Sequence, residues 1–162
     1  MTELHLPFIR NQRKMALASF ELDLAKACGL VRPRYLPIEE SVALYDLIGA
    51  GARPSHATGR VNQAEVAAML ASAQERFPDQ DCLVFLRRYW FVGGLQLRLA
   101  AFWNKALELV HFDGDTVFAA SPGGDQGIML DLDSSPGEDG GYELFVWGES
   151  WPVYAPPPTV AD

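Results

Sequence analysis

The hydrophobic period changes along this chain, and that change restricts the fold more than any single motif does. Up to residue 77 the apolar side chains recur at helical spacing, and over the last third they alternate. A helix returns to the same face every 3.6 residues and a strand every two, so one segment cannot serve both periods. Segregated helices followed by strands with short turns imply an α+β fold, with N-terminal helices followed by a mainly antiparallel C-terminal sheet.

The clearest helix lies between Asn62 and Pro78. Asn62 followed three residues later by Glu65 is a capping-box pair. Val66, Met69, Leu70, Ala73 and Phe77 then hold the stripe, and Pro78 closes the segment. Residues 11–28 predict an amphipathic helix with Leu17, Phe20, Leu24 and Ala27 on one side and Gly29 as its stop. A second helix begins at Pro37, with Glu39 and Glu40 favouring its positive N-terminal end and a stripe of Val42, Tyr45 and Ile48 beside Leu44. The runs RPRYLP and GARPSHATGR read as connections, being rich in proline, glycine and small polar residues.

Residues 82–91 are aromatic and apolar and predict a strand broken by Gly93–Gly94. LQLRLAAFWNKALELV fits two patterns. Leu95, Leu97 and Leu99 alternate, whereas Leu95, Leu99, Phe102, Ala106 and Leu109 fit a helix. Length and the Ala and Leu content favour the helix; otherwise Gly93–Gly94 and Asn104–Lys105 become hairpin turns. Beyond Asp113–Gly114–Asp115, TVFAAS, GIMLDLD and YELFVWG predict three strands. In GIMLDLD, Ile128, Leu130 and Leu132 point inward and Asp131 and Asp133 outward.

With 162 residues the chain suits one domain, 1–152, followed by a Pro-rich tail, 153–162. A domain of this length buries roughly two-thirds of its unfolded surface and needs no disulfide or metal staple. Cys28 and Cys82 are therefore expected as buried thiols. The opening MTELHLPFIRNQRK has no apolar run behind a basic start and is not expected to act as a secretion signal, and no stretch approaches the ~20 uninterrupted apolar residues of a membrane span, so a cytoplasmic location is expected.

The motifs of common chemistries fail on inspection, so no catalytic residue is assigned. GAGARP has Pro54 where a dinucleotide-binding loop needs glycine, and it follows a helix where that loop follows a strand. Ser55–His56 lies in no G-x-S-x-G elbow. His5, His56 and His111 are far apart in sequence and without paired metal spacing. Starting from Asp131, a calcium loop would find Pro136 where glycine belongs and Tyr142 where glutamate belongs. No cofactor or metal is expected.

Charge is divided unevenly. Residues 1–105 hold 13 basic and 10 acidic residues, a formal +3, whereas residues 106–162 hold 11 acidic and no basic ones, a formal −11. Such a segment repels nucleic acid and attracts cationic partners. In the last strand both faces are apolar: Tyr142, Leu144 and Val146 point one way, Glu143, Phe145 and Trp147 the other. Either helices cover both faces or Phe145 and Trp147 meet a partner, with Trp151 extending the cluster. Aromatic anchors are favoured in protein interfaces. The candidate surface is thus Asp113, Asp115, Asp131, Asp133, Glu138, Asp139, Phe145, Trp147 and Trp151, and the expected partner is a basic protein.

The segment YLPIEESVALYDLIGAG resembles the Leu-Pro, helix, glycine pattern of the SUKH superfamily of bacterial immunity proteins, and GIMLDLD is similar to its apolar–Asp strand. The resemblance covers about a seventh of the chain. It implies a non-enzymatic inhibitor that occludes a toxin, and an acidic inhibitor suits a basic toxin because complementary charge speeds encounter. Two alternatives stay open. A small-molecule-binding protein or enzyme could line a pocket with Tyr89, Trp90, Phe91, Phe102 and Trp103, and a homo-oligomer could use the aromatic strand as a sheet edge.

Overall fold

A computed structural model describes residues 6–51, 56–88, 92–133 and 141–148, with the side chains of 6–10, 51 and 56 left aside. The elements run α1 (Leu6–Cys28), β1 (Arg34–Tyr35), α2 (Ile38–Gly51), β2 (His56–Val61), α3 (Gln63–Arg76), β3 (Asp81–Phe85), β4 (Leu95–Arg98), α4 (Leu99–Asp113), β5 (Thr116–Ala120), β6 (Gly127–Asp133) and β7 (Gly141–Trp147). The strands form one seven-stranded sheet in the order β1-β4-β3-β5-β6-β7-β2. Every neighbouring pair is antiparallel. The fold is α+β, as the change of period implies.

Two strands depart from the expectation. GARPSHATGR is not a loop throughout: its second half enters β2, which pairs with β7 at His56↔Val146, Ala57↔Phe145, Arg60↔Glu143 and Val61↔Tyr142. Its register shifts between Ala57 and Arg60, where the Thr58 hydroxyl accepts the Leu144 amide at 3.1 Å. RPRYLP likewise contains β1, bonded to β4. Both sheet edges therefore come from the N-terminal half. β7 lies between β6 and β2, which removes it as the free edge for oligomerisation.

The two readings of residues 95–110 are each correct for part of the segment. Leu95–Arg98 is strand, paired with β3 in the register Asp81↔Arg98 to Val84↔Leu95, and the helix starts at Leu99. Arg98 offers no side-chain cap. Asp79 caps instead, its Oδ1 accepting the Ala100 amide at 3.0 Å while its Oδ2 meets Arg98 Nε at 3.1 Å. The strand expected over 82–91 ends at Phe85, and α1 begins at Leu6, earlier than the periodic stretch. On α1 it is Cys28, not Ala27, that completes the buried stripe of Phe20 and Leu24.

α3 follows its sequence closely. The Asn62 side chain accepts the Glu65 amide at 2.9 Å and Glu65 accepts the Asn62 amide at 2.7 Å. Val66, Met69, Leu70 and Ala73 are buried. With α1 and α4 they cover one sheet face, against Val84, Val117, Ile128, Leu130, Tyr142, Leu144 and Val146. Cys28 and Cys82 are free thiols inside this layer, pushed by burial up to about 11 and about 12.

On the other face α2 is the only helix among the described residues to form a core. Ile48, with Leu44 and Tyr45, packs on Leu83, Phe85, Phe118, Ala120, Met129 and Trp147. A 14-residue helix is too narrow to roof a seven-stranded sheet, since strands sit about 4.8 Å apart and a helix is about 10 Å across. A buried hydroxyl fixes where α2 sits. Ser41, fully buried, accepts the Gly94 amide at 2.8 Å and donates to the Pro37 carbonyl at 2.9 Å. The Leu36 amide bonds Gly94 O at 2.8 Å. Gly93, at φ +91°, lies so close to the Leu36 carbonyl that no Cβ fits there. The Gly93–Gly94 pair thus serves to dock α2, besides breaking a strand.

Candidate functional site

The partial roof leaves a groove on each side of α2. The first, about 600 Å³, is bordered by Arg34, Glu40, Leu44, Asp81, Gln96 and Arg98. Two of its charges are engaged within the fold: Arg98 pairs with Asp81 at 2.9 Å and also with Asp79 at 3.1 Å. The second, about 380 Å³, lies over β3, β5, β6 and β7 and is lined mainly by rings and aliphatic groups: Tyr45, Ile48, Phe85, Phe118, Met129, Phe145 and Trp147, with Arg87, Asp115 and Thr116 at its rim.

Register explains why these rings meet. Phe85 pairs across with Phe118, and Met129 with both Phe118 and Phe145. Each therefore projects from the same face. Phe85 and Phe118 stack with centroids 4.7 Å apart, Tyr45 of α2 tilts onto Phe118 at 5.1 Å, and Trp147 meets Phe118 edge-on at 6.2 Å. Opposite Trp147 stands Gly127, and the indole occupies the space a side chain would take there. Trp147 is 7% exposed, and its indole Nε1 is buried with no hydrogen-bond partner among the described residues. Phe145 stays half-buried in the groove.

The acidic candidates divide. Asp131 sits on the groove face of β6, accepts the Thr116 hydroxyl at 2.6 Å and is cross-strand neighbour to Glu143. Asp133 follows on the same face and forms a half-exposed ion pair with Arg60 at 3.3 Å. Asp115 is exposed at the groove rim, its carbonyl accepting the Leu132 amide at 2.8 Å. Asp115, Asp131, Asp133 and Glu143 thus gather at one end of β5, β6 and β7, with Arg60 and Arg87 beside them. Asp113 is held differently. It ends α4, half-buried, and accepts the Arg87 amide at 2.7 Å. Burial raises its carboxyl above the usual carboxylate range, against the lowering effect of the Arg87 and Thr116 amides. Its hydrogen bond ties the end of α4 to a residue at the groove rim. Glu138, Asp139 and Trp151 lie outside the described residues.

Phe145 and Trp147, singled out from the sequence, line this groove together with Tyr45, Phe85, Phe118 and Met129, which were not expected there. The available signal was the apolar type of those residues at alternate strand positions, which becomes a site only once the register is known. Of the other pocket candidates, Phe102 and Trp103 are core residues of α4, and Tyr89, Trp90 and Phe91 lie outside the described residues. His111 Nε2 shares a 2.6 Å hydrogen bond with the hydroxyl of Tyr142, whose ionisation burial pushes up. Among the described residues no three His, Cys, Asp or Glu side chains converge to hold a metal, and no helix is long and apolar enough to cross a membrane. No family model, curated protein or solved structure matches this chain.

Proposed function

We propose that this chain is a non-catalytic protein-binding module that docks a basic partner over the second groove. One observation carries the reading: the ring-lined floor and the carboxylates of Asp115, Asp131 and Glu143 share the face that α2 leaves partly uncovered. Desolvated aromatic residues inside a polar rim make the usual energetic centre of an interface, and a charged rim steers encounter. In its most concrete form the module is an immunity protein that occludes a basic toxin. Arg60 and Arg87 reduce the acidic potential without abolishing it, so the rings supply the affinity and the carboxylates the orientation. Co-purification with the product of the gene directly upstream, at low and moderate salt, tests this. Binding that Phe145→Glu removes supports it, and absence of binding at both salt concentrations overturns it.

The groove's size favours a second reading, that of a small apolar ligand. About 380 Å³ lies within the ~300–1,000 Å³ typical of ligand pockets. A thermal-shift screen against metabolites separates the two readings: a large reproducible shift with one compound, cancelled by Phe145→Glu, would favour the ligand.

A further inference from the structure

We infer that the outer face of α1 is a self-association surface on which a second copy of the chain docks its own α1 in antiparallel orientation. α1 packs chiefly against α4 and turns Phe20, Leu24 and Cys28 inward. About half a helical turn round from these lies a second apolar line. Met15 is 69% exposed and Leu22 70%, with exposed Ala18 between them. Spacings of three and four residues place all three on one seam, as at the alternating core positions of a coiled coil. A second apolar surface laid over this line would remove Met15 and Leu22 from water, a gain the single chain leaves unmade.

Charge chooses the occupant and its direction. The exposed Arg13 and Lys14 precede the middle of the seam, and Glu21 and Asp23 follow it. An antiparallel second α1, centred near Ala18 and Ser19, sets Met15 of each copy against Leu22 of the other. It also brings Lys14 of each copy to Glu21 of the other, on the same flank of the seam, twice by symmetry; the half-buried Glu21 accepts the Tyr35 hydroxyl at 3.1 Å and keeps acceptor capacity for the lysine. A parallel arrangement would set Lys14 against Ser19 of the other copy and form no such ion pair. Small residues at the crossing let the backbones approach. The seam spans only about two turns, roughly 10 Å at 1.5 Å per residue, so the association is of the weak, small-interface class. It lies on the helical side of the sheet, away from both grooves, and stands independently of the proposed partner docking.

Sedimentation equilibrium from about 5 to about 500 µM, the range that resolves weak dimers, tests the proposal on the full chain. The expected result is a monomer–dimer equilibrium that Leu22→Glu weakens at least about tenfold, with an unchanged circular dichroism spectrum because the site is exposed. A monomer throughout, or a dimer indifferent to Leu22→Glu, overturns it. Orientation is read separately by mixing Met15→Cys and Leu22→Cys chains under mild oxidation. A mixed disulfide exceeding both self-disulfides supports the antiparallel arrangement, and predominance of the self-disulfides contradicts it.

Discussion

Replacing Ser41 by alanine probes the device that positions α2, and hence both grooves. The hydroxyl accepts the Gly94 amide at 2.8 Å and donates to Pro37 O at 2.9 Å. Alanine fills nearly the same space, so no large cavity opens, and the Pro37 carbonyl keeps the Ser41 backbone amide at 2.8 Å. The Gly94 amide, however, is left buried without an acceptor. An orphaned buried donor costs roughly 1–3 kcal/mol. For a chain of this length each kcal/mol moves Tm by about 2–4 °C, so the expected fall is about 2–12 °C. Urea unfolding followed by circular dichroism gives the free energy directly, and hydrogen exchange at Gly94 gives the local effect, which should be faster in the variant. An unfolding free energy unchanged to within about 0.3 kcal/mol, with Gly94 exchange also unchanged, would refute the reasoning.

Three further outcomes follow from the same contacts. Gly127→Ala drives a methyl group into the Trp147 ring and should cost about 1–3 kcal/mol by overpacking, with a red shift of tryptophan emission; an unaltered spectrum and midpoint would contradict the packing. The Asp113 carboxyl is raised by burial, so the folded state favours its protonated form: that contribution is present below the unfolded value, near ~3.9, and is lost as pH rises through the folded one. Asp113→Asn keeps an acceptor for the Arg87 amide, so it should gain stability relative to the native chain as pH rises from about 4 to 7; a loss over that interval argues against it. Cys28 and Cys82 should resist iodoacetamide near neutral pH in the folded protein and react in urea, as mass spectrometry will show; rapid native labelling of either would contradict their burial.

What could be read in advance depended on whether a segment's own side chains specify its state. α3 could be read whole, because its cap, stripe and terminator are all local to residues 62–78. β6 could also be read, since Ile128 and Leu130 are buried and Asp131 alternates outward. β2 could not. HATGRV carries Gly59 and only Ala57 and Val61 as apolar side chains, and its place in the sheet comes from backbone bonds to β7, which leave no hydrophobic trace. Leu95–Leu99 was ambiguous because it spans a strand-to-helix junction where Leu95 and Leu99 are buried under both periods. The site followed the same division. Phe145 and Trp147 stood out because β7 is apolar on both faces, but Phe85 and Phe118 join them only through the order β3-β5-β6-β7, a non-local fact. Asp113 is a related case: it ends α4, and its hydrogen bond to the Arg87 amide is a tertiary contact that the sequence alone does not show.

Calorimetric titration of the upstream gene product into the native chain, Phe145→Glu and Gln96→Glu tests the placement of docking on one groove most directly. Phe145 lines the ring-floored groove and Gln96 the opposite one. The account predicts that Phe145→Glu weakens binding about a hundredfold or more, the loss of a central anchor, while Gln96→Glu leaves it within about threefold. Equal affinity for the native chain and Phe145→Glu, or loss confined to Gln96→Glu, would contradict it.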